Sequence, residues 1–264
     1  MPYKVYLWES LSAIEWSQAG WKIGGTEECR DELIHDVLLR HLPKEGLVVD
    51  AGCGTAKWPI YLGRAGYRCI GIEISREACV AARSVDPEVR LVRADTRRAP
   101  LRSGSADAVL SLGVVEHDEA GPQEGLREIR RLLKPGGLLV LAVPFNNWFR
   151  RLVVNRLQTR VTHKRRRAHL GLGFAEYRFT AREVRRHLTD AGFETLATYP
   201  NDLRPPKVMG LWVDRDNLIT NPFVNPGPKE LFVLPGWSGR LARLALDVVP
   251  WAVCGEAAFV ARAV

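Results

Sequence analysis

The stretch Val48-Val49-Asp50-Ala51-Gly52-Cys53-Gly54-Thr55-Ala56-Lys57 leaves few folds open. An apolar run ends in an acid and passes through two glycines into helical periodicity, which reads as strand, tight turn and helix start. Glycine lacks Cβ, so it tolerates positive φ and admits a ligand against the backbone, and the first N–H groups of the following helix have no partner inside it. A small-molecule site is expected at this turn. A second apolar run, Tyr67 to Ile74, brings Glu73 to a strand end nineteen residues after Gly54, where nucleotide-binding α/β sheets set a carboxylate against ribose hydroxyls. The third small residue of a dinucleotide GxGxxG fingerprint falls on Lys57, too large for close helix–strand packing, which weakens a nicotinamide reading.

Downstream, strands alternate with helices. Strands are expected over Leu47–Ala51, Tyr67–Ile74, Val89–Ala94, Ala106–Leu112 and Leu138–Val143, with helices over Ala56–Ala65, Arg76–Ser84 and Arg127–Leu133, the last stopped by Lys134-Pro135-Gly136-Gly137. Such alternation implies a parallel, right-handedly wound sheet with its crevice at the carboxyl ends of the strands. Asp95-Thr96 and Leu112-Gly113 would stand at two further ends. After Gly113 comes His117, whose side chain ionises near neutrality and can serve as a general base for a hydroxyl or amine; a helix-start histidine that only shapes the cavity is weighed equally.

Four segments, Val-Asp-Ala-Gly-Cys-Gly-Thr at 49–55, Gly71-Ile72-Glu73-Ile74, Ala94-Asp95-Thr96 and Ser111-Leu112-Gly113-Val114-Val115-Glu116-His117, followed by Leu133-Lys134-Pro135-Gly136-Gly137, resemble in order and spacing the class I S-adenosylmethionine (SAM)-dependent methyltransferases of the type 11-like kind. The resemblance covers roughly residues 46–145. It implies a doubly wound, mostly parallel seven-stranded Rossmann-like sheet, ending with an antiparallel strand slipped into it. One domain would fill 1–264, with an N-terminal cap (1–45), a cofactor-binding core (46–145), a basic insertion or lid after the fifth strand (146–178) and the rest of the sheet (179–264). The implied cofactor is S-adenosyl-L-methionine: Asp50, Ala51, Gly52, Cys53 and Gly54 at the methionine end, Glu73 and Ile74 at the ribose, Asp95 and Thr96 at the adenine, Leu112 and Gly113 at the cavity floor, and no metal.

Outside that core the signals are broader. A helix is expected over Asp31–His41 and a capping box, Thr180 with Glu183, opens a helix over Ala181–Ala191, followed by a strand over Phe193–Tyr199. Gly171 to Phe174 reads as a hinge or loop, the proline-rich stretch from Pro200 to Pro228 as a loop, Leu241 to Trp251 as an amphipathic stretch broken at Pro250, and Ala257–Val264 as a final strand. Trp16 and Trp21 mark the N-terminal segment as a structural cap or a lid, and with Tyr177 they are candidate substrate contacts.

The net charge is +8, and its excess is local: from Ile129 to Ala175 there is no Asp or Glu. Arg150, Arg151, Arg156, Arg160, Lys164, Arg165, Arg166 and Arg167 form either a solvated face, a contact to an acceptor phosphate or an anionic membrane surface, or a nucleic-acid contact; the absence of aromatics between Arg150 and Arg167 makes the last the weakest. Five scattered cysteines without metal-ligand spacing argue against a disulfide framework or zinc, and no uncharged apolar run approaches the roughly 18–20 residues that span a bilayer. A cytoplasmic protein, peripheral at a membrane if bound to one, is expected. The function expected is methyl transfer from SAM to an O, N or C nucleophile of a small-molecule or lipid- or sugar-linked acceptor. The alternatives are an RNA-binding or non-catalytic SAM-binding module and a nicotinamide oxidoreductase.

Overall fold

A computed structural model describes residues 2–8, 26–160, 172–204 and 236–264. Trp16, Trp21, Lys164 to Arg167, Gly171 and most of the proline-rich stretch lie outside the described residues.

The central sheet is built as the alternation implies. Strands β2 (Leu47–Ala51), β3 (Arg68–Glu73), β4 (Leu91–Arg93), β5 (Ala106–Leu112) and β6 (Leu133–Pro144) run parallel, and β8 (Phe193–Asn201) and β9 (Glu256–Ala263) complete seven strands in the order β4-β3-β2-β5-β6-β9-β8. Strand β9 is antiparallel to both its neighbours, the slipped-in strand that was expected. Alternate side chains along each strand enter two separate cores. On one side Leu139, Leu141 and Val143 pack against Leu126, Ile129 and Leu132 of α4 (Gln123–Leu132) and Val184 and Leu188 of α5 (Ala181–Asp190). On the other, Val48, Leu110, Val140 and Val260 meet Ile34 and Leu38 of α1 (Ile34–His41) and Trp58 and Leu62 of α2 (Lys57–Arg64). With both faces covered, a helix named α3 (Arg76–Val85) completes the βαβ crossover between β3 and β4. The capping box forms, Thr180 accepting from Glu183 N–H.

Three expectations are corrected. The helix ends at Leu132 as expected, but strand β6 begins at once at Leu133, so Lys134-Pro135-Gly136-Gly137 lies inside it as an irregular stretch instead of a turn. Pro135 has no N–H to contribute, and it is tolerated because the β5–β6 ladder is irregular between Ala106 and Ala108, opposite this stretch. The N-terminal helix is shorter than Asp31–His41, because a 3₁₀ turn occupies Thr26–Asp31. Leu172–Arg178 is strand β7 and no loop: it pairs antiparallel with β1 (Tyr3–Trp8) in a separate two-stranded ribbon. The amphipathic stretch becomes α6 (Gly236–Val248) and α7 (Pro250–Val253), with Pro250 opening the second helix at the position where a missing N–H costs nothing.

Candidate active site

The turn after β2 holds three alternate residues in the left-handed region, Gly52 (φ +85°), Gly54 (φ +54°) and the non-glycine Ala56 (φ +60°). An alanine held there is uncommon and strained, and such strain collects where a backbone is shaped for a ligand. Gly52 N–H and Cys53 N–H both donate to Ile72 O, at 2.8 and 3.0 Å, which ties the turn to β3. A Cβ on Gly52 would lie 2.5 Å from Val114 Cγ2, and one on Gly71 would lie 2.5 Å from Cys53 Sγ. Thus the segment after Gly113 packs directly on the turn, and the ends of β2, β3 and β5 converge.

Glu73 closes the β3 end. Gly54 N–H donates to its Oε2 at 2.9 Å and Ser75 N–H to its Oε1 at 2.8 Å, so each oxygen keeps acceptor capacity for a hydroxyl. Ile74 beside it is 62% exposed, an aliphatic side chain held in the open as an apolar platform. Asp95 is differently engaged: its Oδ1 accepts from Arg97 N–H at 2.9 Å and both its oxygens from the Arg97 guanidinium, whose Nη1 also reaches Asp118. That pairing holds the Asp95 carboxyl below its usual range, and contact with an adenine amino group would require Arg97 to yield. Thr96 begins a 3₁₀ turn beside it. Cys53 is partly buried, and burial pushes its thiol far upward, so it packs under the turn as a neutral thiol.

Several buried charges at this end of the sheet were not legible in the sequence. Lys57, which argued against a dinucleotide, is salt-bridged to Glu32 from the turn before α1. Asp50 is fully buried, and burial pushes its carboxyl up to about 7 against the opposing pull of Lys57. Glu256, opposite Pro144 across β6–β9, is pushed to about 7 by burial and held by Asn201 Nδ2 at 2.7 Å. Glu116 is buried with Oε2 unpartnered, its Oε1 about 3.6 Å from where a Gly113 Cβ would stand; burial, with Glu256 and Glu176 nearby, raises it well above the carboxylate range. These carboxyls outnumber the one lysine among them, so the site is poised for a cationic group.

His117 is exposed and its Nδ1 lies 2.8 Å from Ala175 O of β7, so with Nδ1–H donating the ring lone pair belongs to Nε2. Tyr177 is buried, and its hydroxyl donates to Glu119 O at 2.8 Å; its task here is to fasten the loop that carries His117. Among the described residues no group of His, Cys, Asp and Glu is arranged to hold a metal ion.

A glycine-shaped turn and a strand-end carboxylate at the carboxyl edge of a doubly wound sheet are the arrangement of a Rossmann-like fold. Residues 49–141 match the family model described as "Methyltransferase domain". The mouse tRNA (carboxymethyluridine(34)-5-O)-methyltransferase is 34% identical over 108 residues, 40% of this chain and 16% of that protein. The malonyl-[acyl-carrier protein] O-methyltransferase of Pectobacterium atrosepticum is 30% identical over 95 residues, 36% of this chain and 37% of that protein. The chain therefore spans well under half the length of these relatives. A crystal structure of a SAM-dependent methyltransferase from Methanosarcina mazei shares the fold, with a TM-score of 0.58 at 17% identity, over 86% of this chain and 97% of that one. Residues 49–141 therefore form a SAM-dependent methyltransferase domain, with S-adenosylmethionine as its cofactor.

The buried acids give this site a pH dependence. A carboxyl raised to about 7 in the folded protein retains its proton between the unfolded value and pH 7, so the stability that proton confers is lost as pH rises through 7. A bound cation favours the ionised form. SAM affinity is accordingly expected to rise between pH 5.5 and 7.5, approaching tenfold per pH unit for each proton released. Calorimetry of SAM binding across that range checks it, with Asp50→Asn flattening the profile; an affinity indifferent to pH would count against the charge balance described.

Proposed function

We propose that the protein transfers the SAM methyl group to a nucleophile of a small-molecule or lipid- or sugar-linked acceptor held over the ends of β5 and β6. The observation that carries this reading is the set of buried carboxyls, Asp50, Glu116 and Glu256, at the carboxyl edge of the sheet beside the Gly52 turn. When bound, SAM supplies an already electrophilic methyl on a sulfonium. The chain has then to bind, orient and exclude water, and alignment is worth up to about 7–11 kcal/mol in favourable intramolecular models. In this reading Asp50, Ala51, Gly52, Cys53 and Gly54 form the cradle of the methionine end. Glu73 accepts from ribose hydroxyls and Ile74 offers an apolar face to the base. Asp95 and Thr96 edge the adenine, and Leu112 with Gly113 keeps the floor low enough for close approach. Trp16 and Trp21 remain proposed acceptor contacts.

His117 is the residue suited to take the acceptor's proton, its tautomer set by the Ala175 carbonyl. Replacement by alanine is expected to slow methyl transfer by about 10²–10⁴-fold with SAM affinity unchanged. Unaltered turnover in His117→Ala would leave positioning as the whole of the chain's contribution. The acceptor class is tested by incubating the protein with methyl-tritiated SAM and cell-derived lipid, small-metabolite and tRNA fractions. Label in the lipid or small-metabolite fraction supports the reading. Label confined to tRNA would replace it with the second reading, which the similarity to a tRNA methyltransferase favours.

A further inference from the structure

Helix α6 is built inside out for a water-soluble domain. Gly239 and Ala242 face inward, while Trp237, Leu241, Leu244 and Val248 share an outward stripe, with Trp237 75% and Val248 67% exposed. A second exposed apolar face belongs to the helical segment 148–160, which shows Trp148, Leu152, Val153 and Leu157. This segment and α7 line an open cleft of about 690 Å³ with Trp148, Arg151, Arg185, Leu196 and Trp251, where the Trp251 ring meets Phe145 edge-on at 5.4 Å, and α6 packs on α7.

Charge accompanies this apolar surface. Arg151, Arg156, Arg160, Arg240 and Arg243 are exposed on the same two pieces, against one acid, Asp247. Arg150 has to be left out of the basic surface: it is buried, its guanidinium donating to Phe145 O at 2.8 Å and Gly255 O at 2.6 Å.

We infer that this face, formed by 148–160 with α6 and α7, docks the protein on an anionic membrane surface. Tryptophan and aliphatic side chains would enter the headgroup region while the arginines meet lipid phosphates, the combination an interfacial helix uses. No helix among the described residues is long and apolar enough to cross a membrane, so the attachment is interfacial. The inference does not depend on SAM or on the identity of the acceptor.

The test is co-sedimentation of the full chain with vesicles of phosphatidylcholine alone and of phosphatidylcholine with 30% phosphatidylglycerol, mixed at roughly 0.1 M salt where charges act over about 10 Å. Binding is expected to the anionic vesicles and at least tenfold less to the neutral ones. Arg151→Gln with Arg156→Gln is expected to weaken it roughly 30-fold. Leu241→Gln with Leu244→Gln, both exposed and safe for the fold, should weaken it at least tenfold. Calorimetry with S-adenosylhomocysteine verifies that each variant is folded; failure of the parent to bind that ligand would count against the methyltransferase reading and leave the vesicle result standing. The inference is overturned if the parent stays in the supernatant, if neutral vesicles bind equally well, or if either double variant binds like the parent. It is equally overturned if light scattering finds a dimer that Leu241→Gln with Leu244→Gln dissociates, for then a second copy covers the face.

Discussion

Replacing Gly52 by valine is expected to weaken SAM binding at least 100-fold and to destabilise the unliganded protein by about 2–5 kcal/mol, the sum of a left-handed conformation forced on a side chain and of overpacking. At φ +85° a β-branched residue is strained whatever its surroundings, and the first added carbon already falls 2.5 Å from Val114 Cγ2. Relief requires either the turn or the segment after Gly113 to move, and each lines the proposed cofactor site. Gly104, also at positive φ but with nothing near its Cβ direction, is the control: Gly104→Ala should cost only the conformational part and leave SAM affinity alone. Thermal unfolding and SAM calorimetry on both variants separate the two contributions. Equal affinity in the parent and Gly52→Val would remove this turn from the site.

The second large effect is expected at Arg150, which sequence reasoning placed among the surface arginines. Its guanidinium fastens the loop after β6 to the loop before β9 through the Phe145 and Gly255 carbonyls. Hydrogen bonds from a charged donor contribute about 1.5–3 kcal/mol each, so Arg150→Ala should cost about 3 kcal/mol or more, even though Gly255 O keeps the Phe145 N–H as a donor. Its neighbour Arg151 is exposed, and Arg151→Ala should stay within about 0.5 kcal/mol of the parent. Denaturant unfolding of the pair decides it: similar midpoints would contradict a structural role for Arg150.

The difference between those two arginines illustrates what can be read from residues alone. The core from Leu47 to Leu112 was legible because apolar periodicity, glycine positions and strand-end acids all depend on near neighbours in the chain. Strand boundaries there shift by only a residue or two. The β1–β7 ribbon was not legible, since it joins Tyr3–Trp8 to residues more than 160 positions away and leaves no local signal beyond a few alternating side chains. The same holds for the buried charges. Glu116 lay within a quoted motif, yet that its carboxyl is enclosed while His117 next to it is exposed depends on how the turn after β5 sits against β7 and β9. Lys57 and Glu32 are 25 residues apart, and their pairing follows from the turn at Thr26–Asp31 lying over the start of α2. Tyr177 was read as a candidate substrate contact, and nothing local to it signalled that its hydroxyl would donate to the Glu119 carbonyl.

The central claim, a SAM site built on the Gly52 turn and Glu73, is tested most directly by calorimetric titration of S-adenosylhomocysteine into the parent protein and into Glu73→Ala. The account predicts one site in the parent and a loss of about 1.5–3 kcal/mol in the variant, the contribution of hydrogen bonds to a charged group, deepened by release of the Gly54 turn from its carboxylate anchor. Equal affinity in the two proteins, or no binding by the parent while NADH binds, would contradict it.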